Sequence, residues 1–283
     1  MAIILATDLD GTLFYPKKPF VMVSKENRKL LKTINEHGDR VVVVSSRSRQ
    51  FYDHMRKKIG MDFDFVGTDG TFVSVGGKTI RDEFFDPQEL NALVNDLRNE
   101  YDPPLFLATS AYYPNIINRT RVSKFTNFAY FMYQMVQGTY REKFIRSDQV
   151  FFREIASGKV CKLMVLIGLT KKKKQRAFEI TNLLSKKYPQ FQFVWLNQFI
   201  EITPRGCSKA SGLKFYLDYL DLNHDNVFVV GDSGNDVPMF DAFKEHSFAM
   251  EHASPEVKSH ASQVIRRVHD LQQVLYPSAD SKK

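Results

Sequence analysis

Two aspartates set two residues apart, Asp8 and Asp10, close the apolar run Ile3-Ile4-Leu5-Ala6-Thr7 and are followed at once by Gly11 and Thr12. Side chains two apart on a strand project to the same side, so the pair concentrates negative charge in a small region. That repulsion calls for a cation or a proton. Gly11 and Thr12 add a tight backbone and donors suited to an oxyanion, at the carboxyl edge where open α/β sheets place their ligands. On its own the spacing also fits a turn with two solvated acids. A second acidic cluster shifts the balance, because Val227-Phe228-Val229-Val230 opens directly into Gly231-Asp232-Ser233-Gly234-Asn235-Asp236. Two apolar strands that each end in aspartates imply one shared site. Oxygen donors with no His or Cys beside them suit Mg²⁺ better than zinc or copper.

Two further polar segments fit a phosphate site. The Val-rich run Arg40 to Val44 reads as a strand buried on both faces and ends in Ser45-Ser46-Arg47-Ser48, a hydroxyl-rich turn from which Ser45 can donate to a phosphoryl oxygen. Glu201-Ile202-Thr203-Pro204-Arg205-Gly206-Cys207-Ser208-Lys209 leads into the helical pattern Ala210 to Leu220. Lys209 then falls in a first helical turn, a poor place for a cation unless an anion is near.

With these segments in view, the chain resembles the haloacid dehalogenase-like phosphatases, in the Cof-type branch with the larger, C2-type cap. The four motifs of that family correspond to Asp8-Leu9-Asp10-Gly11-Thr12, Ser45, Lys209 and the 231–236 loop. The resemblance implies that Asp8 is a nucleophile forming an aspartyl-phosphate and that Asp10 is the general acid and then the base. It implies Mg²⁺ held by an Asp8 oxygen, the Asp10 carbonyl and Asp232, with Asp236 near the ion or its waters. Gly11, Thr12, Ser45, Ser46, Lys209 and Asn235 are expected to bind or orient the phosphate.

The chain departs from the family pattern in three places. Ser45-Ser46-Arg47 stands where Thr-Gly-Arg is usual, removing a glycine's backbone freedom. Ala249-Met250-Glu251-His252-Ala253 stands where Ala-Met-Gly-Asn-Ala is usual, so Glu251 and His252, with Arg47, are expected to affect substrate choice. Thr68-Asp69-Gly70 replaces an Asn-Gly turn, a milder change because Asp also tolerates turn geometry.

The elements that must position these residues form an α/β fold, a Rossmann-like parallel sheet with an inserted α+β cap. The 283 residues, 43% of them hydrophobic, allow two cores. We expect a discontinuous catalytic core, 1–83 and 197–283, around a cap at 84–196. Lys25 to His37 reads as a helix closed by Gly38, Phe63 to Val66 as a strand, and Thr71 to Ile80 as a hairpin turning at Gly76-Gly77. Within the cap, helices are expected at Pro87–Glu100, Val122–Gln137 and Lys171–Tyr188, and strands at Leu105–Thr109, Gln149–Ile155, Cys161–Ile167 and Phe191–Trp195. The aromatic set Phe125, Phe128, Tyr130, Phe131 and Tyr133 reads as cap core or substrate lining, and Arg119 and Arg121 as surface charges or contacts to a second anion.

A formal charge of +8 favours anionic partners. Lys171 to Lys174 lacks the interleaved aromatics of a single-strand platform, so no specific nucleic-acid partner is expected. Two cysteines and no signal-like or membrane-spanning run point to the cytoplasm and away from membranes. The expected activity is Mg²⁺-dependent hydrolysis of a small phosphorylated metabolite, a sugar phosphate by resemblance. A phosphomutase on the same fold and a catalytically silent protein binding anions or nucleic acid are the alternatives, and monomer and dimer both stay open.

Overall fold

A computed structural model describes residues 2–16, 21–59, 61, 63–119 and 144–277. Ile4–Thr7 (β1), Arg40–Val44 (β2) and Asp64–Gly67 (β3) are short and almost wholly buried, as parallel strands covered on both faces must be. They pair parallel in that order, and Phe72–Val75 (β4) and Lys78–Asp82 (β5) extend the sheet as an antiparallel hairpin. On the other flank of β1, Val227–Gly231, Ser247–Met250 and Gln263–Ile265 add three more parallel strands. Eight strands thus form one sheet among the described residues.

The alternation of side chains explains both layers of this sheet. Leu5, Val41 and Val43 face Leu30, Leu31 and Ile34 of the helix Lys25–Glu36 (α1), together with Phe51 and Met55 of Arg49–Ile59 (α2). Ile4, Ala6, Val42 and Val44 face the opposite layer, Leu213, Tyr216, Leu217, Met239 and Phe240. Ser24 caps α1 by accepting from Asn27 N at 3.1 Å.

A second sheet takes Leu105–Ser110 (β6), Asn115–Arg119 (β7), Phe144–Arg146 (β8), Val160–Leu166 (β9), Phe191–Leu196 (β10) and Phe199–Pro204 (β11), in the order β10-β11-β9-β6-β7-β8. Its core includes Phe106, Ile116, Leu163, Val165, Ile200 and Ile202 packed on the helices Pro87–Tyr101 (α3), Asp148–Ala156 (α4) and Lys171–Lys187 (α5).

Two expectations need correction. Gln149–Ile155 is not a strand: Ser147 caps Val150 N at 3.3 Å, and Phe151 and Ile155, one helical turn apart, are buried on α4 together with Glu154. The start of the second core segment at residue 197 also fails, because β11 pairs antiparallel with β10 from Leu196↔Phe199 to Phe191↔Pro204 and with β9. The two-residue link between β10 and β11 works because Asn197 accepts a left-handed φ of 56°. Only residues 205–208 then separate β11 from the helix Lys209–Tyr219 (α6). The expected helix 122–137, its aromatic set Phe125, Phe128, Tyr130, Phe131 and Tyr133, and Arg121 lie outside the described residues, as does the side chain of Arg119. Among the described residues no helix is long and apolar enough to cross a membrane.

Candidate active site

Register brings the acidic loops together. Ile4 to Thr7 run level with Val227 to Val230 on one side and with Arg40 to Val43 on the other. Asp8, Gly231 and Ser45 therefore leave the sheet at one edge. Asp8 N continues the ladder to Val230 O at 2.9 Å, and Ser45 N donates to Val66 O at 2.8 Å.

Lys209 opens α6, whose N-terminus is closed by a reciprocal exchange between Ser208 and Ser211. Its ammonium lies 2.7 Å from Asp8 Oδ1 and 2.7 Å from Asp236 Oδ1. All three side chains are buried. Burial works against the charged amine, yet the Asp236 and Asp8 carboxylates hold Lys209 well above its ordinary pKa. Burial likewise pushes the Asp8 carboxyl well above the usual carboxylate range; Lys209 pulls it back, and Asp236 and Asp232 add repulsion. One lysine is too little positive charge for three carboxylates.

Asp232 arrives from the end of its strand, with Oδ1 accepting from Thr12 Oγ1 at 2.9 Å. Burial, then the charge of Asp236, raises its pKa against the opposing Thr12 hydrogen bond. Gly11 is required at this contact: it has a φ of +89°, and a Cβ there would lie 2.3 Å from Asp232 Oδ2. Asp8, Asp232 and Asp236 each offer an oxygen, all within 4.8 Å of one another. This donor set fits a hard divalent cation, which would relieve the repulsion that raises Asp8 and Asp232. Asp236 has a further duty, since its Oδ2 accepts from Asp232 N at 2.9 Å and Ser233 N at 3.0 Å and so braces the loop.

Asp10 stands in different surroundings from Asp8. Its side chain is 34% exposed, and Arg47 grips both oxygens, Nε to Oδ2 at 2.7 Å and Nη2 to Oδ1 at 2.8 Å. The guanidinium in turn covers the Phe51 ring at 4.6 Å. The D-x-D pair is thereby divided into a buried carboxylate on a lysine and a half-exposed one on an arginine. Ser45 is buried, and its Oγ accepts from Arg47 N at 3.2 Å. Ser46 is not among the residues with positive φ, so this turn does not need the missing glycine.

The remaining expected residues lie at varying distances from this centre. Asn235 donates from Nδ2 to Asp69 Oδ1 at 3.1 Å and accepts from Ser233 Oγ at 2.7 Å. His252 Nε2 is 3.5 Å from Asp232 Oδ2, and its ring lies 4.1 Å from that of Tyr15. Glu251 is set apart, exposed and 3.7 Å from Arg266 Nε.

Comparison with known proteins shows the family. A family model described as haloacid dehalogenase-like hydrolase matches residues 5–276. The chain belongs to that family. A Bacillus subtilis (strain 168) relative named "Putative phosphatase YkrA" is 21% identical over 264 residues, covering 93% of this chain and 91% of its own. Among solved structures, BT1666 from Bacteroides thetaiotaomicron, described among phosphatases of the haloalkanoate (HAD) enzyme superfamily, matches with a TM-score of 0.74 at 21% identity, over 97% of this chain and 95% of its own. A Plasmodium vivax protein described as HAD/COF-like matches at a TM-score of 0.75 and 25% identity, over 97% of this chain and 93% of its own.

Sequence reasoning missed the part that three buried charges of this haloacid dehalogenase-like hydrolase play: Asp69, Lys162 and Glu201. Lys162 Nζ lies 3.1 Å from Asp69 Oδ2, 3.4 Å from Glu201 Oε2 and 2.6 Å from Ser46 O. The available signal was a lone lysine inside the apolar strand Val160–Leu166, together with aspartate at the turn position where the family places asparagine.

Proposed function

We propose that the chain is a Mg²⁺-dependent phosphomonoesterase that hydrolyses a small phosphorylated metabolite, a sugar phosphate, through an aspartyl-phosphate on Asp8. The observation that carries this reading is the unequal treatment of Asp8 and Asp10. Lys209 lies 2.7 Å from Asp8 Oδ1 and offsets the charge that would repel an incoming phosphate. Asp10, outside the lysine cluster, sits where it can exchange one Arg47 N–H for the oxygen of the leaving group. It would protonate that oxygen first and take a proton from water in the second step. Asp8, Asp232 and the Asp10 carbonyl are the groups that would hold Mg²⁺, with Asp236 bracing the Asp232 loop. When bound, the ion supplies charge neutralisation and orients the phosphate. Thr12 keeps Asp232 in place, while Ser45 and Lys209 receive the phosphoryl oxygens. Asn235, held by Asp69 and Ser233, lines the same edge.

Purified protein should release inorganic phosphate from para-nitrophenyl phosphate with Mg²⁺ and stop on addition of EDTA. Asp8→Asn should lower kcat at least ~1,000-fold, the scale on which removing a covalent nucleophile acts. Persistence of turnover in that variant would end the proposal. Transfer of the phosphoryl group to a second sugar hydroxyl with little free phosphate would indicate a mutase instead. A panel of sugar phosphates, nucleotides and phosphorylated cofactors compared by kcat/KM tests the substrate class.

A further inference from the structure

Lys162 belongs to the second sheet, on β9, yet its ammonium ends in the first. Two of its three acceptors, Asp69 Oδ2 at 3.1 Å and Ser46 O at 2.6 Å, come from loops of the eight-stranded sheet. The third, Glu201 at 3.4 Å, is its neighbour on the second sheet. An ammonium has three protons, so these acceptors can use it fully. The lysine, Asp69 and Glu201 are each at most 4% exposed, and the cavity beside them, bounded by Gln192, Thr203, Lys209 and Asn235, measures about 20 Å³. That is room for about one water. The two layers are in contact here.

Asp69 relays this contact into the phosphate-binding loops. Its backbone N donates to Ser45 O at 3.2 Å, while its Oδ1 accepts from Asn235 Nδ2 at 3.1 Å. The neighbouring Thr68 N donates to Arg47 O at 2.9 Å. Thr68 and Asp69 both hold positive φ, 50° and 55°. That backbone is strained for a threonine and persists only when its surroundings enforce it. An aspartate suits this position because one oxygen accepts from the lysine and the other from the Asn235 amide, whereas an asparagine would turn an N–H₂ toward one of two donors.

We propose that Lys162 and Asp69 are positioning residues: the lysine, reaching down from the second sheet, fixes Asp69, and Asp69 fixes the Ser45–Arg47 turn and Asn235, so the phosphate cradle is complete only with the upper layer seated. Burial opposes the charge on Lys162, and Asp69 and Glu201 outweigh it, raising its pKa. The ammonium therefore stays charged at neutral pH. Part of the proposal rests on the phosphatase reading, since it gives these loops a phosphate to bind; the assembly of the loops does not.

The test uses Asp69→Asn, close to isosteric, and Lys162→Gln as an independent second variant. Melting, Mg²⁺-dependent turnover of para-nitrophenyl phosphate, and amide hydrogen exchange are measured on each full chain. Both variants should lose about tenfold in kcat with KM changed less than twofold. Exchange should quicken in peptides covering 45–49 and 231–236 and stay unchanged in those covering 247–265. Exchange and kcat both unchanged in folded variants would overturn the proposal. Loss of the whole fold in both would also overturn it, by making the cluster a stability element. If the wild type releases no phosphate while the exchange contrast holds, the phosphatase reading fails and the relay stands.

Discussion

Two buried lysines, each set between two carboxylates, mark the two layers of the molecule, and they are built differently. Around Lys209 the partners Asp8 and Asp236 stand at equal distances of 2.7 Å, and all three come from one sheet and its helix. Around Lys162 the distances spread to 3.1 and 3.4 Å, a backbone carbonyl shares the ammonium, and the partners come from both sheets. The first arrangement draws its three charges from the eight-stranded sheet and α6 alone. The second exists only when the layers meet. The same kind of interaction is thus used once within a layer and once between layers.

Removing the tighter lysine is expected to have the largest effect. Lys209→Met leaves Asp8 and Asp236 buried without a counter-charge, so turnover of an aryl phosphate should fall ~1,000-fold or more and stability by about 3–5 kcal/mol. A variant retaining a tenth of wild-type kcat would break the contrast between the two lysines. Next comes the approach of the two acidic loops. Gly11→Ala places a methyl carbon 2.3 Å from Asp232 Oδ2, at a φ of +89°. The expected results are a clear rise in the Mg²⁺ concentration for half-maximal activity and a loss of about 1–3 kcal/mol in unfolding.

A pH experiment sharpens the comparison further. Glu201 faces Lys162, Asp69 and Lys209, and burial, reinforced by Asp69, raises its carboxyl pKa to about 7 against the opposing lysines. A carboxyl raised in the folded state binds its proton more tightly there than in the unfolded chain. Its contribution to stability is therefore present below about pH 4.5 and is lost as pH rises through about 7. Glu201→Gln cannot titrate, so the melting temperature of the variant relative to the wild type should climb between pH 5 and pH 8. A difference that is flat across this range would show that Glu201 is already ionised beside Lys162. The smallest effect is expected at Glu251, which pairs only on the surface with Arg266 at 3.7 Å. Glu251→Ala should leave kcat/KM within twofold and stability within ~0.5 kcal/mol.

The parallel sheet and its acidic edge were legible because local signals agreed: apolar strands of four or five residues, each ending in Asp, Ser or Gly, specify both a buried strand and the polar loop after it. The same logic misread Gln149–Ile155, where Val150, Phe151, Phe152 and Ile155 form a short apolar run whose helical spacing shows only with the Ser147 cap included. It also misplaced Phe199–Pro204, since a strand's pattern records that it is buried and not which sheet it joins. That Asp8, Lys209 and Asp232 would meet at one sheet edge was readable from type and spacing. The Lys162 cluster was not, because its members are 39 and 93 residues apart in the chain along their two ion pairs, and nothing local announces that a lysine in an apolar strand will find them.

The crossings between the two layers are short. On the outward path Glu83 N still bonds to Thr71 O, while Phe85 N already bonds to Val160 O. On the return Arg205 N bonds back to Gln190 O, and Gly206 comes next with a φ of 74°. Two such narrow joints define a line, and rotation about it is the displacement of the second layer that would disturb the connecting backbone least. Lys209 starts its helix three residues beyond Gly206, so a swing about that line would reach the helix that carries the ammonium beside Asp8.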